Sequence, residues 1–109
     1  MKNNQANIRR MERGSWFWME KAIIRYYTPK VGTLGIAVYC YLASLANTRQ
    51  TCFPSQKHIA NVLGYSRTAI NRVIRKLEMA GLVQVDRSGR YQHTYTLLRA
   101  SCNPEETQV

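Results

Sequence analysis

Residues 55–64, SQKHIANVLG, lead into residues 65–81, YSRTAINRVIRKLEMAG, and then into residues 82–98, LVQVDRSGRYQHTYTLL. In the first segment Ile59, Ala60 and Leu63 fall on one side of a helix, the pattern of an amphipathic element with one buried stripe. Ser55 stands at its start, where a hydroxyl accepts from an amide that the first helical turn leaves unpaired. Gly64 stands at its end, and glycine enters the left-handed region at a helix C-terminus without steric cost. The second segment repeats the scheme with Ser66 as cap, Ile70, Val73, Ile74 and Leu77 at i, i+3, i+4 and i+7, and Gly81 as terminator. The outer face of this second helix carries Arg67, Thr68, Asn71, Arg72 and Arg75.

The third segment changes period. Tyr91, His93, Tyr95 and Leu97 alternate with Gln92, Thr94, Thr96 and Leu98, and residues 82–86 mix apolar, polar and β-branched side chains. This predicts a hairpin, with Ser88-Gly89 at its turn and Arg87 and Arg90 as unpaired charges at its tip. Upstream, Leu34, Ala37, Val38, Tyr41, Leu42 and Leu45 follow helical spacing over residues 34–47, with Thr33 as the candidate cap. The run Thr28-Pro29-Lys30-Val31-Gly32 punctuates the chain before that helix. Ile23, Ile24 and Tyr27 favour a helical turn over a strand within residues 20–27, and residues 48–54 read as a loop that Pro54 closes. Trp16, Phe17 and Trp18 open the ordered part and are expected to pack on the core or on a partner chain, because three adjacent rings are costly to leave in water. The expected fold class is α+β, with three core helices and a C-terminal two-stranded β-wing, plus a further helix or strand from residues 16–27.

The chain has 109 residues, the size of one domain, and at 45% hydrophobic it can bury one core. Lysine and arginine number 16 against 6 acids, a formal charge of +10. A small domain with that imbalance is suited to a polyanion. Cys40, Cys52 and Cys102 are odd in number and show no metal-ligand spacing, so neither a disulfide framework nor a zinc site is expected. Cys40 reads as a small buried hydrophobe, and this cysteine usage fits a reducing, cytoplasmic setting. No signal peptide is expected from residues 1–16, and the apolar run over residues 36–45 is too short to span a bilayer.

The segment through Ile59-Ala60, Leu63-Gly64-Tyr65-Ser66, Ile70, Val73-Ile74, Leu77 and Gly81-Leu82-Val83 resembles the winged helix-turn-helix family of bacterial transcription regulators and replication initiators. The phrase CFPSQKHIANVLGYSRTAINRVIRKLEMAGLV, residues 52–83, is similar to the helix-turn-helix domains of phage and plasmid replication proteins. The resemblance runs over residues 34–98. It implies double-stranded DNA as the partner, with the N-terminal end of the third helix, Ser66, Arg67 and Thr68, entering the major groove. Arg67 then suits a guanine edge and Asn71 an adenine edge, while Arg72 and Arg75 suit phosphates. Ser55, Gln56 and Lys57 at the start of the second helix suit a phosphate. Tyr65 has two readings, a phosphate hydrogen bond or packing between the helices. Arg87 and Arg90 suit the backbone or a narrow minor groove beside the main site.

The remaining chemistry is sparse. His58 and His93 have no acidic or cysteine neighbour at a ligand or triad spacing, Glu105-Glu106 reads as solvated, and no phosphate-loop or dinucleotide motif occurs. No enzyme, cofactor, metal or small-molecule effector is expected. The expected organisation is a flexible basic arm over 1–14, the winged domain over 15–98 and a polar tail over 99–109. Two function classes stay open: a transcriptional regulator, and a DNA-binding or protein-docking domain of a replication initiator. A homodimer on half-sites, joined through residues 16–18 or the first helix, is compatible with either.

Overall fold

A computed structural model describes residues 16–89 and 92–100. The expected arm over 1–14, most of the expected tail and Arg90 of the hairpin tip lie outside the described residues. The elements are a π-helical turn (Ile23–Tyr27), α1 (Thr28–Leu45), β1 (Thr51–Cys52), α2 (Gln56–Leu63), α3 (Arg67–Met79), β2 (Val83–Asp86) and β3 (Thr94–Leu97). The α+β class and the order helix, helix, helix, hairpin are those expected.

Three local readings need correction. Residues 21–27 are helical, but with π geometry over Ile23–Tyr27, which buries Ile23 and Tyr27. The punctuation over residues 28–32 is confined to one residue: Thr28 to Val31 are helical, and only Gly32 leaves the helix, at φ 80° and ψ 168°. Pro29 does not stop the chain, because the first helical turn needs no amide donor and tolerates its fixed φ. The break at Gly32 demands a backbone that side-chain-bearing residues avoid. The helix then resumes and ends at Leu45, short of the expected residue 47.

The third correction concerns the loop over residues 48–54, which contains a strand. Asn47 organises it: its Oδ1 accepts from Arg49 N at 2.9 Å, Thr51 N at 3.1 Å and Thr51 Oγ1 at 3.0 Å. That turn delivers Thr51 and Cys52 to β3, where they pair with Thr96 and Tyr95. The sheet therefore has three antiparallel strands in the order β1-β3-β2, and the expected two-stranded wing gains an edge strand. Val83 and Val85 of β2 face Leu97 and Tyr95 of β3.

The core lies between α1, α3 and the sheet. Val38 and Leu42 of α1, Ile59 of α2, Ile70, Ile74 and Leu77 of α3, and Leu82, Val83 and Tyr95 of the hairpin are all buried. Each such aliphatic side chain contributes about 1.5–3 kcal/mol relative to exposure. Cys52 is buried in this core with its thiol pushed up to about 11 by burial, so it stays protonated. Cys40 is half-buried, and its Sγ lies 3.5 Å from Met19 Sδ. Trp16, Phe17 and Trp18 do not join the core: they remain 54%, 41% and 62% exposed.

Both serine caps form as expected. Ser55 Oγ accepts from His58 N at 3.0 Å, and Ser66 Oγ accepts from Ala69 N at 3.1 Å. Gly64 takes φ 77° and its amide donates to Ala60 O at 2.8 Å, which turns the chain between α2 and α3. The change Gly64→Ala is expected to lower unfolding free energy by about 1–2 kcal/mol, the cost of a left-handed alanine. Ser66→Ala is expected to cost about 1 kcal/mol. Urea denaturation followed by circular dichroism measures both, and a neutral Gly64→Ala would contradict the left-handed turn.

Candidate nucleic-acid interface

The side of α3 that is not buried divides into two strips. Thr68, Arg72 and Arg75 are exposed at four- and three-residue spacing, opposite the core stripe of Ile70, Val73, Ile74 and Leu77. Arg67 and Asn71, also four apart, lie on the flank that faces α2 and the hairpin. Between the start of α2, this flank and the hairpin runs a concavity of about 690 Å³. Ser55, Gln56, Arg67, Thr68, Asn71, Arg75 and Arg87 line it, so more than half of the sequence-assigned residues converge on one surface. None of the described lining residues is acidic.

Lys57, Tyr65, Ser66 and Arg72 do not line this concavity. Lys57 and Arg72 are exposed beside it, on α2 and on the outer strip of α3. Tyr65 is 55% exposed, so it does not fill the space between the two helices. The hydroxyls of Ser55 and Ser66 already accept the cap amides, which leaves each its O–H donor and one lone pair toward a ligand.

The hairpin departs from expectation at its base. Arg87 is not an unpaired tip charge: its Nη1 donates to Glu78 Oε2 at 2.9 Å and its Nη2 to Glu78 Oε1 at 2.7 Å. This two-pronged contact ties the end of β2 to the last turn of α3. Hydrogen bonds from Arg87 hold the Glu78 carboxyl below its ordinary range, with the charges of Arg87, Arg75 and His93 acting the same way. At the tip itself, Asp86 Oδ1 accepts from Ser88 N at 2.9 Å and Ser88 Oγ at 2.6 Å. Those two bonds bend the chain into the turn and lower the Asp86 carboxyl.

Five described lining residues, Pro54, Gly89, Gln92, His93 and Tyr95, lie outside the set that the sequence assigned. Gln92 and His93 enter the concavity just before β3. His93 sits edge-on to Tyr95, ring centroids 6.4 Å apart. The alternation of His93 with Tyr95 placed them on one face, which was the available signal, but did not say that the face ends in the concavity. A side-chain bond between Gln56 and Asn71, Nε2 to Oδ1 at 3.2 Å, is also unannounced by any local spacing. His58 lies elsewhere, with its Nε2 at 2.6 Å from Tyr41 Oη. Among the described residues no group of histidine, cysteine and acidic side chains is arranged to hold a metal, and no helix is long and apolar enough to cross a membrane.

Residues 33–83 match a family model described as a helix-turn-helix domain. That span includes the resumed part of α1, α2, the Gly64 turn and α3, and ends at the first residue of β2. No curated protein and no solved structure matches the chain. This part of the chain is a helix-turn-helix domain, and the hairpin that follows makes it winged.

The Arg87–Glu78 pair gives a pH signature. A carboxyl held low in the folded state stabilises the fold above its unfolded value, and that contribution is lost as pH falls through the folded value. Both partners are partly exposed, 44% and 27%, so the contribution at neutral pH is about 0–1 kcal/mol. Glu78→Gln is expected to be slightly less stable than the parent at pH 7 and equal to it once pH falls below the ordinary glutamate range. Urea midpoints at the two pH values measure this, and a difference that persists at pH 2 would rule out the ion pair as its source.

Proposed function

We propose that this protein is a transcriptional regulator that binds double-stranded DNA, with the N-terminal half of α3 in the major groove and the hairpin on the flanking backbone. The observation that carries the reading is the concavity itself. Arg67, Arg75 and Arg87 surround Thr68 and Asn71, and no acid shares the described lining. Arginines on two elements set at an angle suit the two walls of a groove, since phosphates border it on both sides. Threonine and asparagine between them suit base edges. A regulator needs this combination, because charge alone would occupy all sequences alike.

The rest of the surface supports the same use. Arg72 on the outer strip of α3 and Lys57 at the start of α2 extend the positive field beyond the concavity. The net charge of +10 gives long-range attraction to a polyanion before any specific contact forms. The exposed Trp16-Phe17-Trp18 run belongs to another segment, ahead of the π-helical turn.

Fluorescence anisotropy with duplexes enriched from a random pool, repeated across salt concentrations, tests the proposal. Arg72→Ala and Arg75→Ala are each expected to weaken all duplexes alike and to reduce the salt slope by about one contact. Arg67→Ala and Asn71→Ala are expected to cost about 1–3 kcal/mol on the enriched duplex and little on scrambled DNA. Equal losses on both duplexes for all four variants would remove base readout, and absence of salt-dependent binding would remove the function.

A further inference from the structure

The bond between Gln56 and Asn71 decides more than where Asn71 sits. A carboxamide is planar, and its oxygen and nitrogen differ little in size while carrying opposite hydrogen-bonding signs. What a ligand meets depends on which atom is turned toward it. Asn71 Oδ1 accepts from Gln56 Nε2 at 3.2 Å, and both side chains line the concavity. The Nδ2 amino group has no bond of its own among the described residues. It is the group that Asn71 has left to offer.

Gln56 lies beside Tyr95 in the lining of the concavity, where it draws the Tyr95 phenol down while burial pushes it up. Tyr95 is buried and paired with Cys52 on one side and Val85 on the other.

We propose that Gln56 is a positioning residue that sets the polarity of Asn71, so that α3 presents a donor at this position and selects guanine there. The inference rests on the DNA-binding reading above and names what that site recognises. In the major groove guanine shows two acceptors, adenine an acceptor and a donor, thymine one acceptor beside a methyl group, and cytosine only a donor. An amino group fits guanine best and is rejected by cytosine. The paired contact to adenine needs the asparagine oxygen as well as its nitrogen, and here the oxygen is turned to Gln56. Guanine therefore replaces the adenine assignment that the residue type alone suggests.

The test uses the full chain and duplexes that it enriches from a random-sequence pool. Asn71→Ala identifies the base pair at which discrimination depends on Asn71, and all four base pairs are then compared there by competition. The parent is expected to prefer guanine over cytosine by roughly 5- to 100-fold. Gln56→Glu is nearly isosteric, and a carboxylate in the first turn is favourable to α2. That carboxylate can only accept, so it draws Nδ2 and turns Oδ1 toward the base. Its preference is expected to move to a base with an amino donor, cytosine or adenine. Ratios within one variant cancel the general weakening from the added negative charge. Gln56→Ala frees the amide, and the four base pairs are expected to come within about threefold of each other.

A second measurement needs no variant. Replacing the selected guanine by 7-deazaguanine removes one acceptor and is expected to weaken parent binding at least severalfold. The proposal is overturned if Asn71→Ala changes discrimination at no base pair, if the parent prefers cytosine or adenine there, or if both Gln56 variants keep the parent's guanine preference. Failure of the parent to enrich any duplex would remove the DNA-binding reading itself, and with it this inference.

Discussion

Ile70, Val73, Ile74 and Leu77 form the stripe by which α3 is held, and the direction of every polar group on that helix follows from it. They pack against α1 and the sheet and are almost wholly buried. A helix bound along one side cannot rotate without exposing that side. At about 1.5–3 kcal/mol per aliphatic side chain, rotation would cost more than any single polar contact returns. Thr68, Arg72 and Arg75 therefore point away from the core, and Arg67 and Asn71 point to the flank where α2 and the hairpin close in. The outward face is a consequence of the inward one.

The parts of this arrangement that could be read from sequence are those with a local period. The stripes of α2 and α3, their serine caps and the Gly64 turn all fall within a few residues of one another, and each forms as expected. Pro29 misled because proline stops a helix only in its interior, and here it lies in the first turn. Strand β1 has two residues, too few to show alternation, and it exists because Asn47 folds the preceding turn and β3 supplies a partner. Neither cause is written in residues 51–52.

The candidate interface divides in the same way. Residue types pointed to Arg67, Asn71 and Arg75, outside a clear apolar stripe, and all three line the concavity. Their partnerships were not announced. Glu78 and Arg87 belong to different elements, as do Gln56 and Asn71, and no spacing rule joins a helix to a hairpin or one helix to the next. Pairings of this kind arise from tertiary geometry, and they alter what a side chain can do: an arginine is engaged, and an amide is turned.

The engagement of Arg87 gives the two walls of the concavity different characters. On the DNA-binding reading proposed above, Arg75 of the α3 wall would meet a phosphate by addition, a new partner arriving where there was solvent. Arg87 already has a carboxylate, so on the same reading it would meet a phosphate by exchange, with Glu78 returned to water. In an exchange the local charge balance shifts less, fewer ions are liberated and the free-energy change is smaller. On that reading a hairpin governed by exchange would let go and reattach while α3 stays seated, and the wall that holds would be separate from the wall that yields.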